Sequence, residues 1–143
     1  MTGFVLDASV TMTWLLADAK QVDHDYAAAV LEAMKNPETL AEVPVTWSLE
    51  VSNVLARAEA RDLLTEAHSE AFLEMLSSLS IQADSSTFAQ ALADTLHLAR
   101  RHGLSSYDAS YLELALRTGL SLATLDADLA KAARKAGVKR YPA

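Results

Sequence analysis

Three of the four glycines do most to restrict the fold. Gly103, Gly119 and Gly137 each follow a helix-like stretch rich in Ala and Arg, and each precedes a Leu or Val. Helices end this way: glycine takes the left-handed position past the last turn, and an apolar residue packs back behind it. With these stops in place, the remaining apolar runs are too short for helices and read as strands. The pattern predicts a strand over 3–7, helices over 9–17 and 22–35, and a short strand from Glu42 to Val45. Helices over 47–61 and 65–77, a strand over 79–83, and helices over 86–102 and 106–118 follow. Leu120 to Thr124 reads as a fourth strand, 127–136 as a last helix, and Val138 to Tyr141 as an edge strand. Short apolar strands separated by helices pair in parallel through right-handed crossovers, so the class is α/β, with a central parallel sheet of four to five strands covered by helices on both faces.

No internal repeat, low-complexity tract or linker interrupts the chain, and 143 residues, about half of them apolar, suffice for one core; residues 1–143 therefore read as a single domain. No apolar run approaches the roughly 18 residues of a membrane span, and the N-terminus lacks a basic segment followed by an apolar stretch. Cysteine is absent, which excludes disulfides, thiolate metal sites and a Cys nucleophile. A cytoplasmic protein with no membrane partner is the expectation. The net charge of −7 argues against broad electrostatic capture of nucleic acid. The charge is uneven, however. Lys131, Arg134, Lys135, Lys139 and Arg140 follow Asp128 with no acid among them, and the first 128 residues hold seven bases against all nineteen acids.

The segment FVLDASV, residues 4–10, runs like a buried strand and then ends in a carboxylate, Asp7, followed by two small residues. In open α/β sheets the ligand crevice lies beyond the carboxyl ends of the strands, where strand order reverses. Four acids stand where such a crevice would collect them. Asp7 closes the first strand and would equally serve as an N-cap for the next helix. Glu50 lies early in the helix containing SLEVSNVL, in a polar row with Asn53 and Arg57; it would either bridge to Arg57 or face a ligand. Asp108, in SSYDASYLELA, sits three after Ser105, as in a shortened capping box. It also heads the stripe Tyr111, Leu112 and Ala115, which aims it along a buried face. Asp126 ends LATLD and repeats the context of Asp7: apolar strand, Asp, Ala, helix.

Four carboxylates about 5–6 Å apart would repel by roughly 3 kcal/mol per pair at an effective dielectric near 20. Shared protons or a bound cation must relieve that. An all-oxygen donor set suits a hard divalent ion, Mg²⁺ or Mn²⁺. Zinc is disfavoured, because the histidines at 24, 68, 97 and 102 have neither ligand spacing nor thiolate partners.

In their order and spacing, VLDASV, LEVSNVL, SSYDASYLELA and LATLDADLAKAA make the sequence resemble PIN-domain proteins, specifically the short VapC-type ribonuclease toxins of toxin–antitoxin pairs. The resemblance covers nearly the whole chain and implies a three-layer α/β/α sandwich. It implies an acidic quartet at Asp7, Glu50, Asp108 and Asp126, with Asp7 and Asp108 as principal metal ligands, Asp126 as a further ligand, and Glu50 as a ligand or a water-orienting base. Asn53 and Thr124 fall where the family often carries polar support, and Ser9 is its usual small polar residue. The implied activity is Mg²⁺-dependent endoribonuclease cleavage, by water attacking in line, to a 5′-phosphate and a 3′-hydroxyl. The implied partners are an RNA substrate, a VapB-like antitoxin whose tail covers the early helices, and a second copy in a homodimer. Because substrate phosphates must approach an acidic centre, Arg57 and the basic C-terminal segment are candidate attractors. Trp14, Leu15 and Leu16 would contribute either to partner surfaces or to the core.

Competing phosphate chemistries fit less well. A receiver domain needs adjacent acids after the first strand, where this chain has only Asp7, and a haloacid-dehalogenase-type phosphatase needs DxD, where it has DAS. A PIN scaffold that binds RNA without cleaving it satisfies the same residues.

Overall fold

Phe4, Val5 and Leu6 are wholly buried, as an apolar run without polar alternation requires of a strand covered on both faces. In the computed structural model, which describes residues 2–143, they belong to β1 (Thr2–Leu6). The chain continues through α1 (Ala8–Thr13), α2 (Gln21–Met34), β2 (Thr39–Val43), α3 (Trp47–Ala60) and α4 (Glu66–Ser77). It then forms β3 (Ile81–Ala83), α5 (Thr87–Ala91), α6 (Asp94–His102), α7 (Ser106–Thr118), β4 (Ser121–Ala123) and α8 (Ala127–Ala136).

The sheet is parallel throughout, in the order β3-β2-β1-β4. Phe4 stands opposite Ala41 on one side and Ser121 on the other. The chain builds outward from β1 through β2 to β3, then returns to add β4 on the far side of β1. Strand order therefore reverses between β1 and β4, which puts the crevice at their carboxyl ends. Alternation along β1 sends Val5 into the layer formed by α7 and α8, against Tyr111, Leu112, Leu122 and Leu129. Phe4 and Leu6 point the other way, against Val10, Ala27, Val30 and Met34 of α1 and α2. The result is a three-layer α/β/α sandwich. A third cluster of Met12, Val51, Leu55, Phe72 and Leu76 ties α1 to α3 and α4.

The three helix-ending glycines have φ of 64°, 72° and 84°, conformations that would strain any residue with a Cβ. Behind them the N–H groups of Leu104, Leu120 and Val138 reach back to the carbonyls of Ala99, Ala115 and Ala133 at 2.9–3.1 Å. These are the six-to-one bonds of Schellman motifs. All three apolar residues then pack on the cluster around Val5.

Four boundaries differ from the sequence expectation. The first helix stops at Thr13 instead of 17, and the Trp14 indole donates to the Ala27 carbonyl at 2.8 Å, holding the chain against α2. Trp14, Leu15 and Leu16 are partly buried against the α1–α3–α4 cluster, which favours their core role. The second strand begins at Thr39, earlier than Glu42, because Thr2 and Gly3 extend the pairing with β1. The expected helix over 86–102 breaks after Ala91. Here α5 buries none of its residues, Phe88 and Leu92 are largely exposed, and Ala93 leaves helical geometry. The expected edge strand is a single bridge between Leu122 and Arg140. Leu122 exchanges bonds with Lys139 and Tyr141, and then Pro142, lacking an N–H, cannot continue the ladder. Among the described residues no helix is long and apolar enough to cross a membrane.

Candidate active site

Asp7 follows β1 directly, and its N–H bonds to the carbonyl of Ala123 at 3.0 Å, so the chain leaves the sheet beside the end of β4. Its side chain is 3% exposed. It precedes α1 in the N-cap position, yet the carboxylate makes no capping bond. Instead Oδ2 accepts from Ser9 Oγ at 2.6 Å and from Thr124 Oγ1 at 2.7 Å. Both hydroxyl protons are committed to Asp7, because each oxygen already accepts a backbone N–H: Leu125 donates to Ser9 and Asp126 to Thr124, each at 3.0 Å. Burial pushes the Asp7 carboxyl up; the two hydroxyls oppose this, and the charge of Asp126 adds to it.

Asp126 occupies the N-cap position of α8, again without a side-chain capping bond. Asp108 lies in the first turn of α7, where its N–H donates to Ser105 Oγ at 3.1 Å. The capping role foreseen for Ser105 is therefore present. The half-buried Asp108 carboxyl is pushed up to about 6, first by burial and then by the charges of Asp126 and Asp7.

Glu50 comes from the first turn of α3. Of the two alternatives for Glu50, the bridge to Arg57 is not formed among the described residues. Glu50 Oε1 instead accepts from the Tyr111 hydroxyl at 2.9 Å. Burial, then the charges of Asp7 and Asp108, raise its carboxyl to about 7 against the lowering effect of that bond. The phenol of Tyr111, wholly buried, is itself pushed up by burial and by Asp7 and Glu50. Sequence reasoning placed Tyr111 in an apolar stripe and missed its hydroxyl; a phenol three residues after Asp108 on the same face was the available signal.

The four acids thus share one field at the switch point, although they come from the ends of two strands and the starts of two helices. They do not form a closed cage. Among the described residues, no three His, Asp or Glu side chains are gathered tightly enough to enclose an ion. The donor set still suits Mg²⁺ or Mn²⁺, since magnesium ordinarily takes one or two carboxylates and keeps several waters. Asp7, Asp108 and Glu50 all have raised proton affinity, first from burial and then from one another's charge, and a cation among them would oppose both.

Two further candidates lie apart. Asn53 is exposed on α3 and makes no hydrogen bond to the acids among the described residues. Arg57, also exposed, lines a groove of about 460 Å³ with Leu15, Leu16, Val54 and Arg61. Arg117, in the last turn of α7, holds a network of its own. It pairs with Asp84 at 2.6 Å and with the buried Glu113 at 2.8 Å.

Comparison with known proteins agrees with this architecture. Among curated proteins, Ribonuclease VapC3 of Pyrobaculum aerophilum is 38% identical over 82 residues, 57% of this chain and 63% of that protein; the match spans less than two thirds of the relative's length. Among solved structures, PAE2754 of Pyrobaculum aerophilum superposes with a TM-score of 0.65 at 24% identity, covering 92% of this chain and 84% of the other. FitAcB of Neisseria gonorrhoeae superposes with a TM-score of 0.61 at 18% identity, covering 96% of each chain. At those identities the two structures speak for the fold alone. A PIN domain model matches residues 4–135, a span that contains Asp7, Glu50, Asp108 and Asp126 in order, and the chain belongs to the PIN-domain family.

Proposed function

We propose that the chain is a metal-dependent endoribonuclease, the toxin of a VapBC-type pair, hydrolysing RNA phosphodiester bonds at the crevice between β1 and β4. The observation that carries this reading is the grouping of Asp7, Glu50, Asp108 and Asp126, where burial and then mutual charge raise the proton affinities of Asp7, Glu50 and Asp108 at the place where an α/β sheet binds its ligand. The name of the 38% identical relative, Ribonuclease VapC3, supports RNA as the substrate.

In this reading Asp7, Asp108 and Asp126 hold Mg²⁺ or Mn²⁺, with Glu50 beside them. The bound ion would supply Lewis-acid polarisation of the phosphodiester and a more acidic water. Ser9 and Thr124 fix the orientation of Asp7 and keep it a proton acceptor. Glu50, at about 7 and held by Tyr111, is matched to taking a proton from the attacking water near neutral pH. The same reading brings a VapB-like antitoxin, a homodimer and a cytoplasmic setting. The alternative, RNA binding without turnover, parts from it at one experiment. Asp108→Asn should abolish Mg²⁺-dependent cleavage of RNA and relieve growth arrest in cells expressing the chain, with circular dichroism unchanged. Cleavage by that variant at the parental rate would refute the assignment; RNA binding by a parental chain that never cleaves would favour the alternative.

A further inference from the structure

A second cavity, of about 280 Å³, opens beside the acids. Thr124 and Asp126 line it together with Arg134, Lys139 and Arg140. We infer that these three cations bind backbone phosphates of the RNA strand flanking the scissile bond. The inference rests on the ribonuclease reading and names the surface that holds its substrate.

The backbone presenting the cations is fixed. Leu122 holds Lys139 and Tyr141 by hydrogen bonds at 2.9 Å. The Tyr141 ring stacks on Phe4 with centroids 4.0 Å apart, and the Tyr26 hydroxyl donates to the Tyr141 carbonyl. The Arg140 guanidinium lies over the Tyr26 ring at 4.0 Å, which orients the group. Arg134 sits on α8 eight residues after Asp126, about 12 Å along the helix axis. Asp126, Ala130, Ala133 and Arg134 line the same cavity, so α8 leads along it from the acid to the base.

Charge favours a polyanion here. None of the three cations enters an ion pair among the described residues. They are exposed, and the only other charged lining groups are Asp23 and Asp126. Once Asp126 is neutralised by a cation in the acidic centre, the cavity is cationic overall. On a chain of net charge −7, a local cationic track resolves how RNA reaches an acidic protein: phosphate contacts position the strand and carry no sequence information.

The test compares Arg134→Gln/Lys139→Gln with Lys35→Gln/Arg100→Gln, which removes the same charge elsewhere. The probe is a fluorescein-labelled single-stranded RNA of about 12 nucleotides. Binding is read by anisotropy across a salt series in an Asp108→Asn background, and cleavage kinetics in the parental background. Losing two phosphate contacts should flatten the salt dependence by about 1.4; carried from about 1 M to about 0.1 M salt, that is roughly 25-fold weaker binding. KM should rise with kcat unchanged, and the charge-matched control should shift little. Equal loss in both double variants overturns the inference but leaves the ribonuclease reading standing. A parental chain that neither binds nor cleaves the RNA overturns both. Antitoxin binding lost while RNA binding is kept would assign the surface to a protein and overturn the inference as well.

Discussion

Asp108→Asn should stabilise the fold at alkaline pH. The substitution keeps the shape of the side chain and the backbone N–H that Ser105 caps, but removes one charge from the field of Asp7 and Asp126. Asp108 is raised from 3.8 to about 6, first by burial and then by the charges of Asp126 and Asp7. At about 1.4 kcal/mol per tenfold change in proton affinity, burial of the charge and repulsion together would reach roughly 3 kcal/mol if fully buried. The side chain is only partly buried, and solvent screening reduces this to about 1 kcal/mol. The sign follows from linkage. A native carboxyl with raised affinity holds its proton longer than the unfolded one, so the parental chain loses stability as pH rises from about 4 to above 6. The asparagine does not titrate. Thermal unfolding in chelator should therefore give the variant a melting temperature higher by roughly 3 °C at pH 8, and no advantage near pH 4. Millimolar Mg²⁺ or Mn²⁺ should then raise the parental chain more than the variant, narrowing or reversing the order. Equal melting temperatures at pH 8, or an advantage independent of pH, would show that the carboxylates do not repel and would remove the physical basis for a cation site.

Thr124→Val keeps side-chain volume but removes a donor to the buried Asp7 and an acceptor for the Asp126 N–H; a loss of about 2 kcal/mol in urea unfolding is expected, and an unchanged midpoint would mean that water replaces both bonds. Tyr111→Phe deprives Glu50 of its donor, so the Glu50 carboxyl should rise further and the acid limb of the kcat/KM profile should move to higher pH; an unmoved limb would deny Glu50 the role of base. Arg117→Met leaves the buried Glu113 without its partner and frees Asp84. It should cost about 2 kcal/mol by denaturant titration with the cleavage rate of the folded protein unchanged.

The parts legible in the sequence are those whose cause is local. An apolar run without alternation can only be a strand buried on both faces, which located β1, and a Gly followed by Leu or Val after an Ala-rich stretch located three helix ends. Asp7 and Asp126 were legible because each interrupts a pattern, an acid standing where a strand should hand over to a helix. Relations between distant residues were not legible. Asp84 and Arg117 are 33 positions apart, and nothing in either segment distinguishes an ion pair from two solvated charges. Helix spacing showed that Tyr111 is buried but not that its hydroxyl ends on Glu50, since burial fixes a side chain's face and leaves the partner at its tip open. The row of Glu50, Asn53 and Arg57 left Glu50 open between Arg57 and a ligand for the same reason, and Tyr111 was in neither alternative. The mutual influence of the four acids was anticipated, while a tight group of three or more metal-ligating side chains is not formed among the described residues.

The site is built in two parts. Asp7, Thr124 and Asp126 form one unit: a hydroxyl proton joins Thr124 to Asp7, and a backbone N–H joins Asp126 to the same hydroxyl. Ser9 repeats the link from α1 to Leu125. The ends of β1 and β4 are thus locked together at the switch point, whatever the charge state of the crevice. Asp108 and Glu50 enter from the starts of two separate helices: Asp108 meets that unit through a side-chain hydrogen bond with Asp126 as well as through repulsion, and Glu50 feels its charge while bonded to Tyr111. A fold that leaves these carboxylates in mutual conflict gives up stability at the place where it needs affinity for a cation. The conflict sets the order of events: neutralisation of the acids must precede the approach of a phosphodiester, because each remaining negative charge opposes it.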